Sequence, residues 1–428
     1  MEYFSVKGGN PLTGSVDIDG AKNAAVAIIP AALMSGGICV VENLPKIEDV
    51  MGYVTVLESI GVKCKFLDKS TLQIDATNVS STSIAPEIMK NMRASYYLIG
   101  ALLGRFKKAI VPMPGGCNFG ARPIDLHIKG FELLGATCVQ EHGVVKVTAD
   151  RLVGCPIYLD VASVGATINI MMAACYAEGV TTIENAAKEP HIVDCANFLN
   201  MCGAKIKGAG TSVIRIEGIK AMKGSEYTII PDQIEAGTYM IAAAIAGGEV
   251  KVRNVIPRHM ESLTAKLIEA GCDISTGDDW IIVRSNGDLK ACSISTLYYP
   301  GFPTDLQPQM TAFLTRCEGT SYVTEAVFDN RFQYVDQLMR LGVKIKIEGR
   351  MAVVEGAARL TGADVVATDL RAGAALILAG LAAEGTTRIS NIHYIDRGYE
   401  KIEEKLSKLG ANIRRINGDD HELQLLEA

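Results

Sequence analysis

A glycine recurs just after an amphipathic stretch six times along the 428-residue chain, at Gly61, Gly135, Gly203, Gly271, Gly342 and Gly410, with a period of about seventy residues. Each is preceded by apolar residues at helical spacing, as in Val56, Leu57 and Ile60 or Phe131, Leu133 and Leu134, and is followed by short alternating stretches. A glycine at such a place suits a left-handed helix cap, because the conformation costs it no Cβ clash. A second motif recurs at the same period. Helices of small apolar residues are predicted at Ala24–Met34, Ser95–Leu103, Ile168–Ala177, Thr238–Ala246, Met310–Thr315 and Ala372–Ala383. Most lead through glycine into a β-branched segment such as Gly37-Ile38-Cys39-Val40-Val41. The repeating unit is therefore helix, strand, helix, strand pair.

Six units this long favour two three-unit domains over a solenoid, whose repeats usually run about 20–45 residues. Helices carrying Ala, Gly and Ile on nearly every face must be buried all round, which puts the sheets outside them. At 48% hydrophobic and 21% charged residues, the chain has the composition of a globular protein and leaves no room for long disordered tracts.

A net charge of -6 argues against nucleic-acid and anionic-membrane partners, so an anionic ligand must meet local positive charge. The longest apolar runs fall short of the roughly 18 residues of a membrane span, and the segment Met1–Lys7 has no secretory pattern. A cytosolic location is expected. Eleven cysteines without a CxxC pair suit buried reduced thiols, ten of them in the core.

The stretch Pro112-Met113-Pro114-Gly115-Gly116-Cys117-Asn118-Phe119-Gly120-Ala121-Arg122-Pro123 breaks the pattern and reads as a loop. A cysteine there can reach solvent, and Arg122 would favour its thiolate or hold an anion beside it; a plain surface thiol is the other reading. Lys22, Arg93 and Arg371 each stand at the amino end of a small-residue helix, where the dipole disfavours a cation unless an anion is near. That anion is either a ligand or a local carboxylate such as Asp19 or Asp369. Asp305 precedes a helix, in the position of a cap, and Arg397 lies between a strand and the last helix. Phosphate-binding loops, dinucleotide fingerprints and metal-spaced Cys/His clusters are absent, so neither a cofactor nor a metal is expected.

In order along the chain come Gly20-Ala21-Lys22-Asn23-Ala24-Ala25, Met92-Arg93-Ala94-Ser95, Pro114-Gly115-Gly116-Cys117, Arg122-Pro123-Ile124-Asp125-Leu126-His127 and Ser163-Val164-Gly165-Ala166-Thr167. They continue with Lys188-Glu189-Pro190, Ile234-Glu235-Ala236-Gly237-Thr238, Gly301-Phe302-Pro303-Thr304-Asp305, Asn330-Arg331-Phe332, Asp369-Leu370-Arg371-Ala372-Gly373 and Asp396-Arg397-Gly398-Tyr399-Glu400. Together these segments resemble the enolpyruvyl transferase family over essentially the whole chain.

The resemblance implies an α/β fold: a two-domain inside-out α/β barrel of six βαβαββ repeats, three per domain. The domains would be 22–230, carrying the Cys117 loop, and 1–21 with 231–428, their crossings forming the hinge of a closing cleft that holds the active site. It further implies addition of a sugar hydroxyl to phosphoenolpyruvate and loss of phosphate, with UDP-N-acetylglucosamine as acceptor. The Pro-Gly-Gly-Cys loop speaks against the sister branch that uses shikimate 3-phosphate.

By the same resemblance Cys117 is the proton donor and the thiol that the epoxide fosfomycin alkylates, and Asp305 is the base. Lys22, Arg122 and Arg397 hold phosphoenolpyruvate, with Arg371 close by and Asn23 at the reacting centre. Arg93, Arg122, Pro123, Ile124, Asp125, Leu126, Ser163, Val164, Gly165, Asp305 and Val327 contact the nucleotide sugar. Four positions depart from the family pattern: Asn118-Phe119 after the cysteine, Gln233 where arginine is common, and Pro308, which a first helical turn tolerates.

Overall fold

Among the described residues, six small sheets surround buried apolar helices, six in number. A computed structural model describes residues 2–89, 96–113, 124–357 and 359–417. Five of the sheets repeat one topology, in which a central strand has a parallel neighbour on one side and an antiparallel pair on the other; the remaining sheet is three antiparallel strands, Lys108–Pro112, Val144–Thr148 and Thr137–Glu141, with a single parallel bridge from Ser83 to Ile110. In the first, Ile38–Glu42 runs parallel to Glu226–Thr228 and antiparallel to Leu72–Asp75, which pairs with Lys63–Phe66. In the sixth, Thr386–Ser390 is parallel to Asp364–Val366 and takes its antiparallel neighbour from far away, strand Tyr3–Lys7, which also pairs with Asn412–Ile416. Among the described residues the strands form six separate sheets and no closed barrel.

The helix ends explain the period. Gly61, Gly135, Gly203, Gly271, Gly342 and Gly410 all have φ between 91° and 106°, directly after the amphipathic helices. The left-handed turn releases the chain into the next strand pair.

Five of the apolar helices begin earlier than their hydrophobic runs suggest, while Tyr97–Phe106 extends three residues beyond the expected end at Leu103. Ser163, Asp232 and Asp369 cap Val164–Ala174, Gln233–Ala246 and Leu370–Ala382 with side-chain oxygens, so the first turns contain residues outside the apolar stretch. Pro308 falls in the first turn of Gln307–Leu314, where its missing N–H costs no helical bond. Close approach of inner helices depends on a glycine. A Cβ on Gly100 would lie 2.4 Å from the Asn169 carbonyl oxygen, while the Asn169 side chain accepts from the Gly100 N–H at 2.9 Å. That hydrogen bond satisfies one of the orphan donors of helix Tyr97–Phe106.

The chain divides into two compact units, Gly20–Ile230 and Met1–Asp19 with Pro231–Ala428, each with its own apolar core. The first crossing falls between Asp19 and Gly20, two residues before the expected boundary. Asp19 belongs with the second unit because its N–H donates to Glu235 Oε2 at 2.8 Å, and its carbonyl accepts from the Asp232 N–H at 2.9 Å. Ala21 instead donates to the Ile230 carbonyl at 2.7 Å. Lys405 closes the arrangement on Asp19 and Glu235, at 2.6 and 2.7 Å.

Seven cysteines are buried as expected of core thiols, whereas Cys64, Cys138 and Cys155 are only half-buried, and all ten described cysteines are unpaired. None of the described helices is long and apolar enough to cross a membrane.

Candidate active site

In the unit Gly20–Ile230, Lys22 is the first residue of helix Lys22–Ala32. Its ammonium lies 2.9 Å from Asp49 Oδ2, so a buried carboxylate answers the conflict between cation and dipole. Asp49 comes from the first turn of helix Glu48–Ser59, not from the adjacent Asp19, whose carboxylate is engaged by Lys405. Asn23 follows on the same turn, half-buried.

The described sugar-binding candidates of this unit lie on two neighbouring segments. Ile124 is buried before helix Asp125–Leu133, in which Asp125 is exposed and Leu126 half-buried. Ser163 accepts the Ala166 N–H at 3.3 Å, leaving Val164 and Gly165 in the first turn of their helix. The two segments meet at Gly165, where an added Cβ would stand 2.8 Å from His127 Nε2 and 3.1 Å from the Tyr96 ring.

His127 had no role in the sequence reading. It is buried, stacks edge-on to Tyr96 with centroids 5.3 Å apart, and neither ring nitrogen has a hydrogen-bond partner among the described residues. Burial pushes its imidazole down to about 4, with Asp125 opposing weakly. Cys117, Arg93, Arg122 and Pro123 lie outside the described residues.

In the other unit the chemistry gathers on Asp305, in the short turn Thr304–Leu306. Its carboxylate caps neither that turn nor the following helix. It is held instead by two arginines, Arg371 Nη2 at 3.0 Å from Oδ2 and Arg331 Nη2 at 3.6 Å from Oδ1. Arg371 stands in the first turn of Leu370–Ala382 and is buried. Burial works against its charge, but Asp305 and its other neighbours outweigh that cost and hold the guanidinium above its usual value.

A second carboxylate shapes the surrounding loop. Buried Glu325 accepts from Thr296 Oγ1 and Thr304 Oγ1 at 2.8 and 3.0 Å, and from the Val327 and Phe328 N–H groups at 2.9 and 3.0 Å. It thereby ties Val327 to the Asp305 turn. Arg397 is half-buried at the end of the short helix His393–Asp396, two residues before Tyr399.

Sequence alone did not mark Asp49, Glu325 or Arg331 as site residues. Asp49 reads as an ordinary acid complementing a helix amino end, and the other two reach their partners only through the fold. The described geometry supplies cations at helix amino ends, suited to phosphate and carboxylate, and a fixed carboxylate suited to a hydroxyl proton.

The sequence matches the family described as EPSP synthase (3-phosphoshikimate 1-carboxyvinyltransferase) over residues 6–406. The chain belongs to this family of enolpyruvyl transferases. A relative from Clostridium botulinum named UDP-N-acetylglucosamine 1-carboxyvinyltransferase is 57% identical over 417 residues, covering 97% of this chain and 100% of the relative. UDP-N-acetylglucosamine 1-carboxyvinyltransferase 2 of Bacillus subtilis is 53% identical and covers 100% of both chains. Among solved structures, the enolpyruvyl transferase NikO from Streptomyces tendae superposes with a TM-score of 0.88 at 26% identity, covering 97% of this chain and 98% of its own. An EPSP synthase from Acinetobacter baumannii shares the fold at 20% identity, with a TM-score of 0.75 over 97% of this chain and 100% of its own.

Proposed function

We propose that this chain transfers the enolpyruvyl group of phosphoenolpyruvate to the 3'-hydroxyl of UDP-N-acetylglucosamine, the first committed step of peptidoglycan synthesis, in the cytoplasm. The carrying observation is full-length likeness to relatives bearing the name of that activity. The acid-base and cationic groups that the reaction needs support it.

In the addition step, Asp305 takes the 3'-hydroxyl proton as the oxygen bonds to C2 of phosphoenolpyruvate, and Cys117 delivers a proton to C3. Elimination then removes a proton from the new methyl group and expels inorganic phosphate, leaving the enolpyruvyl ether. Lys22, Arg122 and Arg397 neutralise the donor, with Arg371 nearby and Asn23 at the reacting carbon. Arg93, Arg122 to Leu126, Ser163 to Gly165 and Val327 hold the nucleotide sugar. No nucleic acid or membrane takes part.

Phosphate release from phosphoenolpyruvate tests this, with UDP-N-acetylglucosamine or shikimate 3-phosphate as acceptor. Release should require the nucleotide sugar and largely vanish in Cys117→Ala. Release with shikimate 3-phosphate alone would assign the chain to the sister activity.

A further inference from the structure

Arg371 is gripped from two sides. One side is Asp305; the other is the hydroxyl of Tyr399, which accepts from Arg371 Nη1 at 3.4 Å while the guanidinium carbon lies 5.7 Å from the Tyr399 ring centre. Tyr399 is buried, and its hydroxyl sits 2.8 Å from Thr238 Oγ1 and accepts from Gln309 Nε2 at 3.3 Å.

Counting protons fixes the direction of this network. The single hydroxyl proton of Thr238 goes to the Ile234 carbonyl at 2.8 Å, so in the Thr238–Tyr399 bond Tyr399 must donate. Both lone pairs of the phenol are then turned towards Gln309 and Arg371. Burial holds the phenol above its usual value, and hence neutral, although Arg371 opposes this. Thr238, Gln309 and Arg371 sit on three different inner helices, Gln233–Ala246, Gln307–Leu314 and Leu370–Ala382. The hydroxyl of Tyr399 is the point on which they converge, donating to Thr238 and accepting from Gln309 and Arg371.

We propose that Tyr399 is a positioning residue for the reaction: oriented by Thr238 and Gln309, its hydroxyl fixes Arg371 against Asp305 and so presents that carboxylate to the acceptor hydroxyl in one orientation and as an anion. The role rests on the functional reading above, in which Asp305 is the base. Tyr399 itself touches neither substrate. Without the phenol oxygen, Arg371 loses one of its two anchors, and Asp305 is paired less firmly and takes up a proton at higher pH.

The test is the pH dependence of kcat in wild type, Tyr399→Phe, Thr238→Val and Thr238→Ser, with UDP-N-acetylglucosamine as acceptor. Tyr399→Phe should lower kcat about tenfold, as expected for a lost hydrogen bond to a charged group, and move the acid limb to higher pH. KM for the nucleotide sugar should stay within about twofold, since a group acting only through the base contributes little to binding it. Thr238→Val, which removes the acceptor of the phenol proton, should reproduce the shift, and Thr238→Ser should restore the wild-type profile. An unmoved acid limb in Tyr399→Phe overturns the proposal, as does a loss in Thr238→Ser equal to that in Thr238→Val, which would mark a packing role. If Tyr399→Phe does not fold, the two Thr238 variants decide alone. A wild-type enzyme idle with UDP-N-acetylglucosamine overturns the functional reading and the positioning role with it.

Discussion

Lys22 and Arg371 occupy corresponding places in the two units, each in the first turn of a buried inner helix and each paired with an aspartate, but opposite partners of the two pairs face outward. In the first pair the lysine side chain is 13% exposed against 8% for Asp49; in the second, Arg371 is 5% exposed against 28% for Asp305. One unit offers a positive charge backed by a buried anion, and the other offers a carboxylate backed by buried cations. The same repeat thus yields a group suited to an anionic substrate in one copy and a group suited to a hydroxyl in the other, by changing which residue is driven inside.

The sharpest way to break this contrast is Asp305→Asn. Loss of the proposed base should lower kcat by roughly 10²–10⁴-fold while the far-ultraviolet circular dichroism stays native. Wild-type turnover would remove Asp305 from the chemistry. Asp49→Asn should behave differently, since it strips a buried counter-charge: about 2 kcal/mol of stability should be lost in urea unfolding, together with a raised KM for phosphoenolpyruvate. If stability were unchanged, Asp49 would not be an anchor.

His127 extends the comparison to proton linkage. Its imidazole stands at about 4 in the folded protein against an ordinary 6.5, so on acidification the unfolded chain takes up the proton first. The stability held above 6.5 is lost as the pH falls from there towards 4. Between pH 7 and pH 5 this amounts to about 2 kcal/mol, which His127→Phe should abolish in urea titrations at the two pH values. An equally steep pH dependence in the variant would place the titration elsewhere. The smallest effect belongs to the exposed pair Lys129–Asp160, at 2.7 Å: Asp160→Asn should leave the urea midpoint where it is in wild type, a baseline for the buried pairs.

The repeat was legible because period, cap glycine and apolar spacing are local properties, and each of the six glycines takes the left-handed turn. Helix starts were less legible, since Thr238 and Ile168 begin hydrophobic runs whose helices open at Gln233 and Val164, behind polar caps. Lys22 announced its need for an anion, but proximity in sequence pointed to Asp19, and the fold supplied Asp49. Asp305 looked like a cap because it precedes a helix; its arginines come from residues 331 and 371, which no local pattern connects to it. Tyr399 stood inside a recognised motif, yet the hydroxyl network that gives it a direction exists only once three helices are packed together.

Strand Tyr3–Lys7 completes the sixth sheet between Thr386–Ser390 and Asn412–Ile416, and this fixes an order of events during synthesis. Residues 20–230 form a contiguous unit whose partners have all been made before the rest of the chain emerges. The other unit must hold its first strand, Tyr3–Lys7, unpaired until nearly everything else has been translated, paying a large loop-closure entropy when it docks. The nascent chain therefore carries an exposed strand edge for most of its translation, and that edge is where chaperone binding or misassembly would concentrate.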